Sequence, residues 1–219
     1  MILPVIISMK KSLITLFILL LTIPVSAQRN QASRVLDRTV AAFHKAGGVK
    51  AVFTLQIFEK QALSGYTEGT LLLKGEKFVL RTDNVVTWFD GKTQWSYLTD
   101  SDEVNISSPG PDELQEINPY AVLNNYKTGY DYAMGTVKTY RGKSVNHVIL
   151  TSTDPKKQIS RIELYIAEGN YPVFIIAENR NNSRSEVSII SYQTNQAYAD
   201  RVFVFDSKEY PTAEIIDLR

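Results

Sequence analysis

The sequence of 219 residues contains no cysteine and only two histidines. Without cysteine the chain forms no disulfide, and it offers no thiolate for a zinc or iron–sulfur site, for nucleophilic catalysis or for attachment of a lipid. The two histidines, His44 and His147, are far apart in sequence and have no second ligand at metal-binding spacing. We therefore expect no metal and no cofactor.

The sequence also lacks an excess of charge of either sign, since 24 Lys+Arg face 23 Asp+Glu. A balanced charge argues against nucleic acid as a partner. The chain has no G-x-S-x-G elbow, no P-loop and no G-x-G-x-x-G motif after a strand. None of these patterns calls for catalysis, so the protein is not expected to be an enzyme.

The only long apolar run lies at the amino end, from Leu13 to Ile23. It follows Lys10-Lys11 and precedes Pro24-Val25-Ser26-Ala27, the small-residue pattern that a signal peptidase cleaves. The run is shorter than the roughly 20 residues of a membrane-spanning helix, which disfavours the alternative of an uncleaved anchor. We predict a signal peptide over 1–27, cleaved after Ala27, and one domain over 28–219. Met9 by itself opens a conventional signal.

After this segment the spacing of the apolar residues changes once, from that of a helix to that of strands. Apolar residues at helical spacing over 31–46, followed by Gly47-Gly48, predict an amphipathic helix. From Ala51 onward the period is two, with turn residues between short segments. About eleven strands are counted in this way, so the predicted fold class is mainly β with helices (α+β).

Two hairpins are placed to the residue. Asp90-Gly91 suits a two-residue turn that pairs Phe89 with Lys92 and puts Trp88, Trp95 and Tyr97 on one face. Gly75-Glu76 suits a II′ turn that pairs Lys74 with Lys77. The second hairpin gathers Leu71, Leu73, Phe78 and Leu80 on one face. Its opposite face, with Leu72, Val79 and Arg81, is expected against solvent.

A helical insertion interrupts the β pattern. Residues 109–117 begin a short helix, Asn118-Pro119 breaks it, and a second helix is predicted from Tyr120 to about Lys127. The apolar face of the sheet must be covered by something. Either the chain fills it with its own side chains or a loosely covered cavity accepts a foreign apolar ligand, and periodicity does not decide between the two.

In the order of its motifs the chain resembles the LolA-like family of periplasmic outer-membrane lipoprotein carriers. The hairpin Asp90-Gly91-Lys92-Thr93-Gln94-Trp95 matches the D-G-K-T-x-W pattern of that family. Further matches cover almost all of the chain after the signal; they are Ala51 to Thr54, Tyr66 and Gly69 before Leu73-Lys74, Phe78, Asn118-Pro119-Tyr120, Phe203-Val204-Phe205 and Pro211.

The resemblance implies an incomplete antiparallel β-barrel of about eleven strands with a helical lid over an apolar cavity. It implies a monomeric periplasmic carrier that receives acylated lipoproteins from an inner-membrane exporter and passes them to an outer-membrane acceptor. The absence of a lipid-bearing cysteine after the signal fits the soluble carrier. One feature departs from the family: where its lid-holding arginine is expected, the chain has Gly75-Glu76.

From the resemblance and the strand faces together we expect two sets of apolar residues to form the site. The lipid-binding cavity is predicted to be lined by Phe53, Leu55, Leu71, Leu73, Phe78, Leu80, Trp88 and Trp95. The lid is predicted to use Leu36, Val40, Phe43, Leu114, Ile117 and Leu123, which would fill the empty cavity until acyl chains displace them.

Other functions are compatible with the same fold. A half-barrel sensor or regulator of envelope lipids or lipoproteins is one, and a carrier of another lipid is a second. An enzyme acting on envelope lipid or glycan would need paired carboxylates or a nucleophile and base on the cavity face, which is nearly devoid of titratable groups. A purely structural role would leave the cavity filled.

Overall fold

The computed structural model describes the backbone of residues 23–117 and 121–219 and the side chains of residues 28–114, 121–123 and 126–219. Residues 1–22 of the predicted signal peptide lie outside the described residues. The predicted first helix is confirmed as α1, which spans Ile23–Lys45 and so begins earlier than expected, at the first described residue. Cleavage after Ala27 stays a prediction, and it would leave α1 starting at Gln28.

The described residues form thirteen strands, two further short α-helices and one 3₁₀ helix. The α-helices are α2 (Pro111–Ile117) and α3 (Val122–Asn125), and the 3₁₀ helix is Asp200–Phe203. The strands are β1 (Gly48–Glu59), β2 (Ala62–Lys74), β3 (Lys77–Thr82), β4 (Val85–Phe89), β5 (Gln94–Leu98), β6 (Glu103–Ser107), β7 (Tyr130–Met134), β8 (Thr139–Tyr140), β9 (Lys143–Ser152), β10 (Ile159–Ala167), β11 (Pro172–Asn179), β12 (Ser183–Gln193) and β13 (Glu214–Asp217).

One sheet contains these strands in the order β13-β6-β5-β4-β3-β2-β1-β12-β11-β10-β9-β7, with β8 paired to β9. All neighbours are antiparallel except β13 and β6, which run parallel. The ends of the path, β13 and β7, do not pair with each other, so the sheet is an open, mainly β structure, as predicted. Strands as short as β8 and β13 show too little alternation to be detected, which explains the lower predicted count.

The Gly75-Glu76 hairpin is confirmed in its register. Lys74 pairs with Lys77, Leu73 with Phe78 and Leu71 with Leu80. Gly75 has φ +60°, the conformation that a II′ turn requires at its first central position. The four predicted leucine and phenylalanine side chains therefore share one face.

The register predicted for the Asp90-Gly91 hairpin is wrong. Phe89 pairs with Gln94 rather than with Lys92, and Trp88 pairs with Trp95. The reason is that Asp90 Oδ1 accepts hydrogen bonds from the backbone N–H groups of Lys92 and Thr93, both at 2.8 Å, which closes a longer loop. The shift is two residues, and side chains alternate between the faces with period two. Trp88, Trp95 and Tyr97 therefore still share one face, as predicted.

The two faces of the sheet carry separate cores. On the first face, which we call the concave face, side chains from nine strands pack in one cluster with α1 and α3, so these helices cover part of this face. On the opposite face a second cluster joins Val79, Val86 and Trp88 to Phe203 of the C-terminal segment. Most strands of the first half of the sheet are therefore covered on both sides.

The C-terminal segment, residues 194–213, crosses the opposite face of β3, β4 and β5. Trp88 meets Phe205 and Tyr210 edge-on, with ring centroids 5.5 and 5.6 Å apart. Asp200 holds the segment to the β2–β3 hairpin through Lys74 at 2.8 Å and Lys77 at 3.0 Å. These two ammonium groups lower the pKa of Asp200 to about 2. The expectation that this face, with Leu72 and Val79, meets solvent is wrong, because the C-terminal segment buries it.

Candidate functional site

The concave face of the sheet is apolar over most of its area. Its fully buried centre includes Leu71, Leu73 and Phe78, which lie beneath the helices in one cluster with Leu36 of α1. Six of the eight residues predicted to line a cavity belong to this cluster: Phe53, Leu55, Leu71, Leu73, Phe78 and Leu80. The structure thus brings most of the predicted lining residues together on one surface.

Part of this surface remains accessible. Leu55 and Leu80 are only partly buried, as are Val187 and Ile189 of the neighbouring strand β12. On the neighbouring strand β2, Gly69 lies opposite Phe53 and Thr67 lies opposite Leu55, so small residues adjoin the large ones. The Phe53 ring lies directly over Gly69, where any added Cβ would also lie 2.7 Å from the Arg81 carbonyl oxygen. This combination leaves apolar surface beside α1 that the chain itself does not fully cover.

Trp88 and Trp95 do not lie on this surface. Both belong to the second cluster, on the opposite face under the C-terminal segment. Their placement follows from the β3–β4 register, in which Trp88 is opposite Val79 and Phe89 is opposite Phe78. The two-residue Asp83-Asn84 connection between β3 and β4 carried a signal for this register that the sequence analysis did not use. The prediction that the tryptophans line the same cavity as Phe78 is therefore corrected.

The lid residues of α1 and α3 lie over the concave face. Leu36 and Leu123 are buried, whereas Val40, Phe43 and Leu114 of α2 are partly buried against the same cluster. The side chain of Ile117 lies outside the described residues. We use the name lid for α1, α2 and α3 together.

Asp37 of α1 holds the lid helices together. Its Oδ1 accepts a hydrogen bond of 2.6 Å from the Tyr126 hydroxyl and forms an ion pair of 2.9 Å with Lys127 Nζ. The bonds from Lys127 and Tyr126 hold the pKa of Asp37 below its ordinary value. Burial, followed by the bond to Asp37, raises the pKa of Tyr126 to about 12. We call these three residues the Asp37 latch.

Two further ion pairs fasten the lid to the sheet. Lys157, in the loop between β9 and β10, pairs with Asp112 of α2 at 2.9 Å. The more exposed Arg29 of α1 lies 3.8 Å from Asp131 of β7 and stacks over the Tyr132 ring. These two ion pairs connect the lid to the sheet, and the Asp37 latch connects its helices to one another. None of these contacts lies at Gly75-Glu76, where the arginine of the family was expected. The sequence did not reveal them, because each joins residues that are distant along the chain.

A hollow of about 400 Å³ opens at the carboxyl end of α1. Ala46 and Tyr192 line it and also belong to the concave cluster or pack against it, so the hollow adjoins the apolar surface. Tyr192 stacks on Tyr171 with ring centroids 4.4 Å apart. Burial raises the pKa of Tyr192 to about 12. Tyr192, Val187 and Ile189 were not predicted as site residues, although the alternation along β12 carried the signal for the last two.

A larger hollow of about 1000 Å³ lies between the β1–β2 and β11–β12 turns, and it is polar. Its walls include Lys60, Arg180 and Glu178. Because charged side chains line this hollow, it does not suit an apolar ligand.

The histidines occupy ordinary positions. His147 is buried, and its Nε2–H donates a hydrogen bond of 2.7 Å to the Glu163 carboxylate. Its Nδ1 accepts from the Val137 N–H, and its ring stacks on Tyr165. His44 is exposed on α1, beside Phe43. Within the described residues no group of three or more metal-ligating side chains comes together.

An open sheet whose apolar face is covered by α1, α2 and α3 defines a half-barrel fold. A family model described as outer membrane lipoprotein carrier protein LolA matches residues 23–167, which is more than half of the chain. The chain therefore belongs to the LolA family of binding and carrier proteins. No protein of curated function matches the sequence.

Two solved structures with TM-scores of 0.50 or more agree on the fold, and a third is similar at a lower score. An uncharacterised conserved protein from Thermus thermophilus aligns over 85% of this chain and 99% of its own, with TM-score 0.57 and 12% identity. A DUF1329 family protein from Desulfovibrio piger aligns over 84% and 99%, with TM-score 0.50 and 10% identity. A LolA superfamily protein from Nitrosomonas europaea aligns over 80% and 98%, with TM-score 0.46 and 11% identity.

No helix in the described part of the chain is both long enough and apolar enough to cross a membrane.

Proposed function

We propose that the protein is a periplasmic carrier that binds the acyl chains of lipoproteins on its concave face, beneath the lid, and takes them from the inner to the outer membrane. The observation that supports this most is the partly covered apolar surface around Leu55, Leu80, Val187 and Ile189. A protein with no apolar ligand gains stability by burying such residues completely. Membership of the LolA family is consistent with the same cargo.

The energetics favour a lid that opens rather than a rigid pocket. Burying one methylene contributes about 0.8 kcal/mol, so a chain of roughly 15 methylenes represents about 12 kcal/mol. Three such chains would exceed the ceiling of about 20 kcal/mol on non-covalent affinity. Part of this free energy must therefore offset displacement of Leu36, Val40 and Phe43 and rupture of the Asp37 latch. The remaining affinity is then weak enough for release to an acceptor.

The partners follow from this role. The carrier would receive acylated lipoproteins from an inner-membrane exporter and deliver them to an outer-membrane acceptor or to the membrane itself. It would work as a monomer after removal of the signal peptide. No step of this cycle needs a cofactor.

The test is mass spectrometry of the protein purified from the envelope of its own organism, together with a pair of leucine variants. We expect lipoprotein to co-purify with the unmodified protein and to be lost from Leu55→Glu, because a carboxylate on the concave face disfavours acyl chains. The matched control is Leu63→Glu, which changes an exposed leucine on the neighbouring strand β2.

Undiminished lipoprotein on a folded Leu55→Glu variant would contradict the assignment of the site. A free phospholipid in place of lipoprotein would identify the protein as a carrier of another lipid. The carrier function would be contradicted altogether by two results together. The purified protein would carry no lipid, and cells that lack the protein would show an unchanged distribution of lipoproteins between their membranes.

A further inference from the structure

The outward side of α1 carries a row of positive charge. Arg34, Arg38 and Lys45 are all exposed, and at 100° per residue they project within an arc of roughly 40°. The buried side of the helix, with Ala32, Leu36 and Thr39, points in the opposite direction. The three cations span about 16 Å along the helix axis. We call this row the α1 ridge.

The charge of the α1 ridge is not neutralised by the rest of the molecule. Asp37 is the only acidic residue of α1, and it is already engaged by Lys127 and Tyr126. The acid that approaches α1 from β7, Asp131, pairs with Arg29. Among the described side chains, Arg34, Arg38 and Lys45 take part in no ion pair. In a chain of net charge +1, three unpaired cations in one line are a local concentration of charge.

We propose that the α1 ridge docks the protein on an anionic phospholipid surface. A straight row of cations on the exposed side of α1 matches a plane of anionic headgroups, which needs no particular register. An acidic protein is the competing partner, but the hot spots of protein interfaces usually combine Arg with Trp or Tyr, and α1 contains neither aromatic residue. The exposed large hydrophobic residues of the described chain are Leu63, Tyr66, Ile190, Val204, Ile215 and Leu218, none of which belongs to α1.

Docking through the α1 ridge would also bring the lid to the membrane. Lys45, at one end of the ridge, lines the 400 Å³ hollow that adjoins the concave face. The hollow would therefore lie beside the headgroups. This inference concerns the surface of the protein and does not depend on which apolar ligand the concave face accepts.

The test is co-sedimentation of the purified protein with vesicles of phosphatidylglycerol and phosphatidylcholine, and with vesicles of phosphatidylcholine alone. Each cation near an anionic surface contributes about five-fold to binding, so the triple variant Arg34→Gln/Arg38→Gln/Lys45→Gln should bind on the order of a hundred-fold more weakly. Binding of the unmodified protein should weaken as salt is added.

The control is Lys60→Gln/Lys92→Gln/Lys143→Gln, which removes the same charge from three exposed turn or strand-end residues. It should retain binding within a few-fold. Equal loss in both triple variants would overturn the proposal in favour of a general attraction, and a protein that shows no preference for phosphatidylglycerol would overturn it outright. Acyl-ligand binding, measured in solution on the unmodified protein without vesicles, shows separately whether the carrier function fails.

Discussion

Asp37 joins α1 to the two residues that follow α3. Its carboxylate receives the Tyr126 hydroxyl and the Lys127 ammonium from the region of α3, 89 residues further along the chain in the case of Tyr126. The contribution of the Lys127 pair is small, because both side chains are about half exposed. The buried Tyr126 hydroxyl, bonded to a charged oxygen, contributes more.

Replacing Tyr126 by phenylalanine should therefore loosen the lid. We expect Tyr126→Phe to lower the free energy of unfolding by about 1.5–3 kcal/mol, the value of a hydrogen bond to a charged group, and to speed amide hydrogen exchange in α1 and α3. The matched control is Tyr66→Phe, because the exposed Tyr66 hydroxyl donates a similar bond of 2.6 Å to Glu68. Equal effects of the two substitutions would show that the Asp37 latch contributes nothing particular to the lid.

The same residue gives this prediction a pH dependence. Because the pKa of Tyr126 is raised from 10.0 to about 12, folding favours the protonated hydroxyl. Its stabilising effect is complete below pH 10 and is lost as the pH rises through about 12. Denaturation curves measured across this range should show a smaller alkaline loss of stability in Tyr126→Phe than in the unmodified protein.

At the scale of elements, successive side chains of β3 and β4 point alternately to the two faces of the sheet, and the two faces have different roles. Leu80 points to the concave face, and Trp88 points to the cluster under the C-terminal segment. Side chains from the same two strands thus belong either to the candidate ligand surface or to a closed core. Only the first set should influence ligand binding directly.

A pair of alanine variants distinguishes the two faces. Trp88→Ala should cost about 3–5 kcal/mol of stability, expose the C-terminal segment to proteases and leave acyl binding by the folded fraction unchanged. Leu80→Ala should cost less, since Leu80 is only partly buried, and should weaken acyl binding. Weaker acyl binding in a folded Trp88→Ala protein would contradict this assignment and indicate that Trp88 belongs to the ligand surface.

The elements also show what the sequence could and could not predict. Period-two alternation correctly grouped Leu71, Leu73, Phe78 and Leu80, because residues on one face of a hairpin are fixed by its turn. Alternation does not say what covers a face. Val79 and Trp88 are covered by Phe203, more than a hundred residues away, and only the folded chain reveals that contact. The Asp37 latch escaped prediction for the same reason.

At the scale of the whole molecule, the last residues complete the structure of the first half of the sheet. β13 pairs with β6, and the segment before it packs on β3 to β5. Deletion of residues 194–219 should expose Val79 and Trp88, lower the midpoint of denaturation and promote aggregation. Deletion of Arg219 alone, which is exposed and pairs only with Asp217 among the described side chains, is the control and should be nearly neutral. Equal midpoints for the two deletions would contradict this role.

The parallel pairing of β6 with β13 has a consequence for how the protein matures. If the chain is exported as we propose, it emerges from the translocation channel amino end first, so the outer edge of β6 would have no neighbour until β13 has emerged. During that interval the unpaired strand edge and the uncovered Trp88 would favour association with other chains. The tertiary structure would then be completed only after residues 214–217 have left the channel.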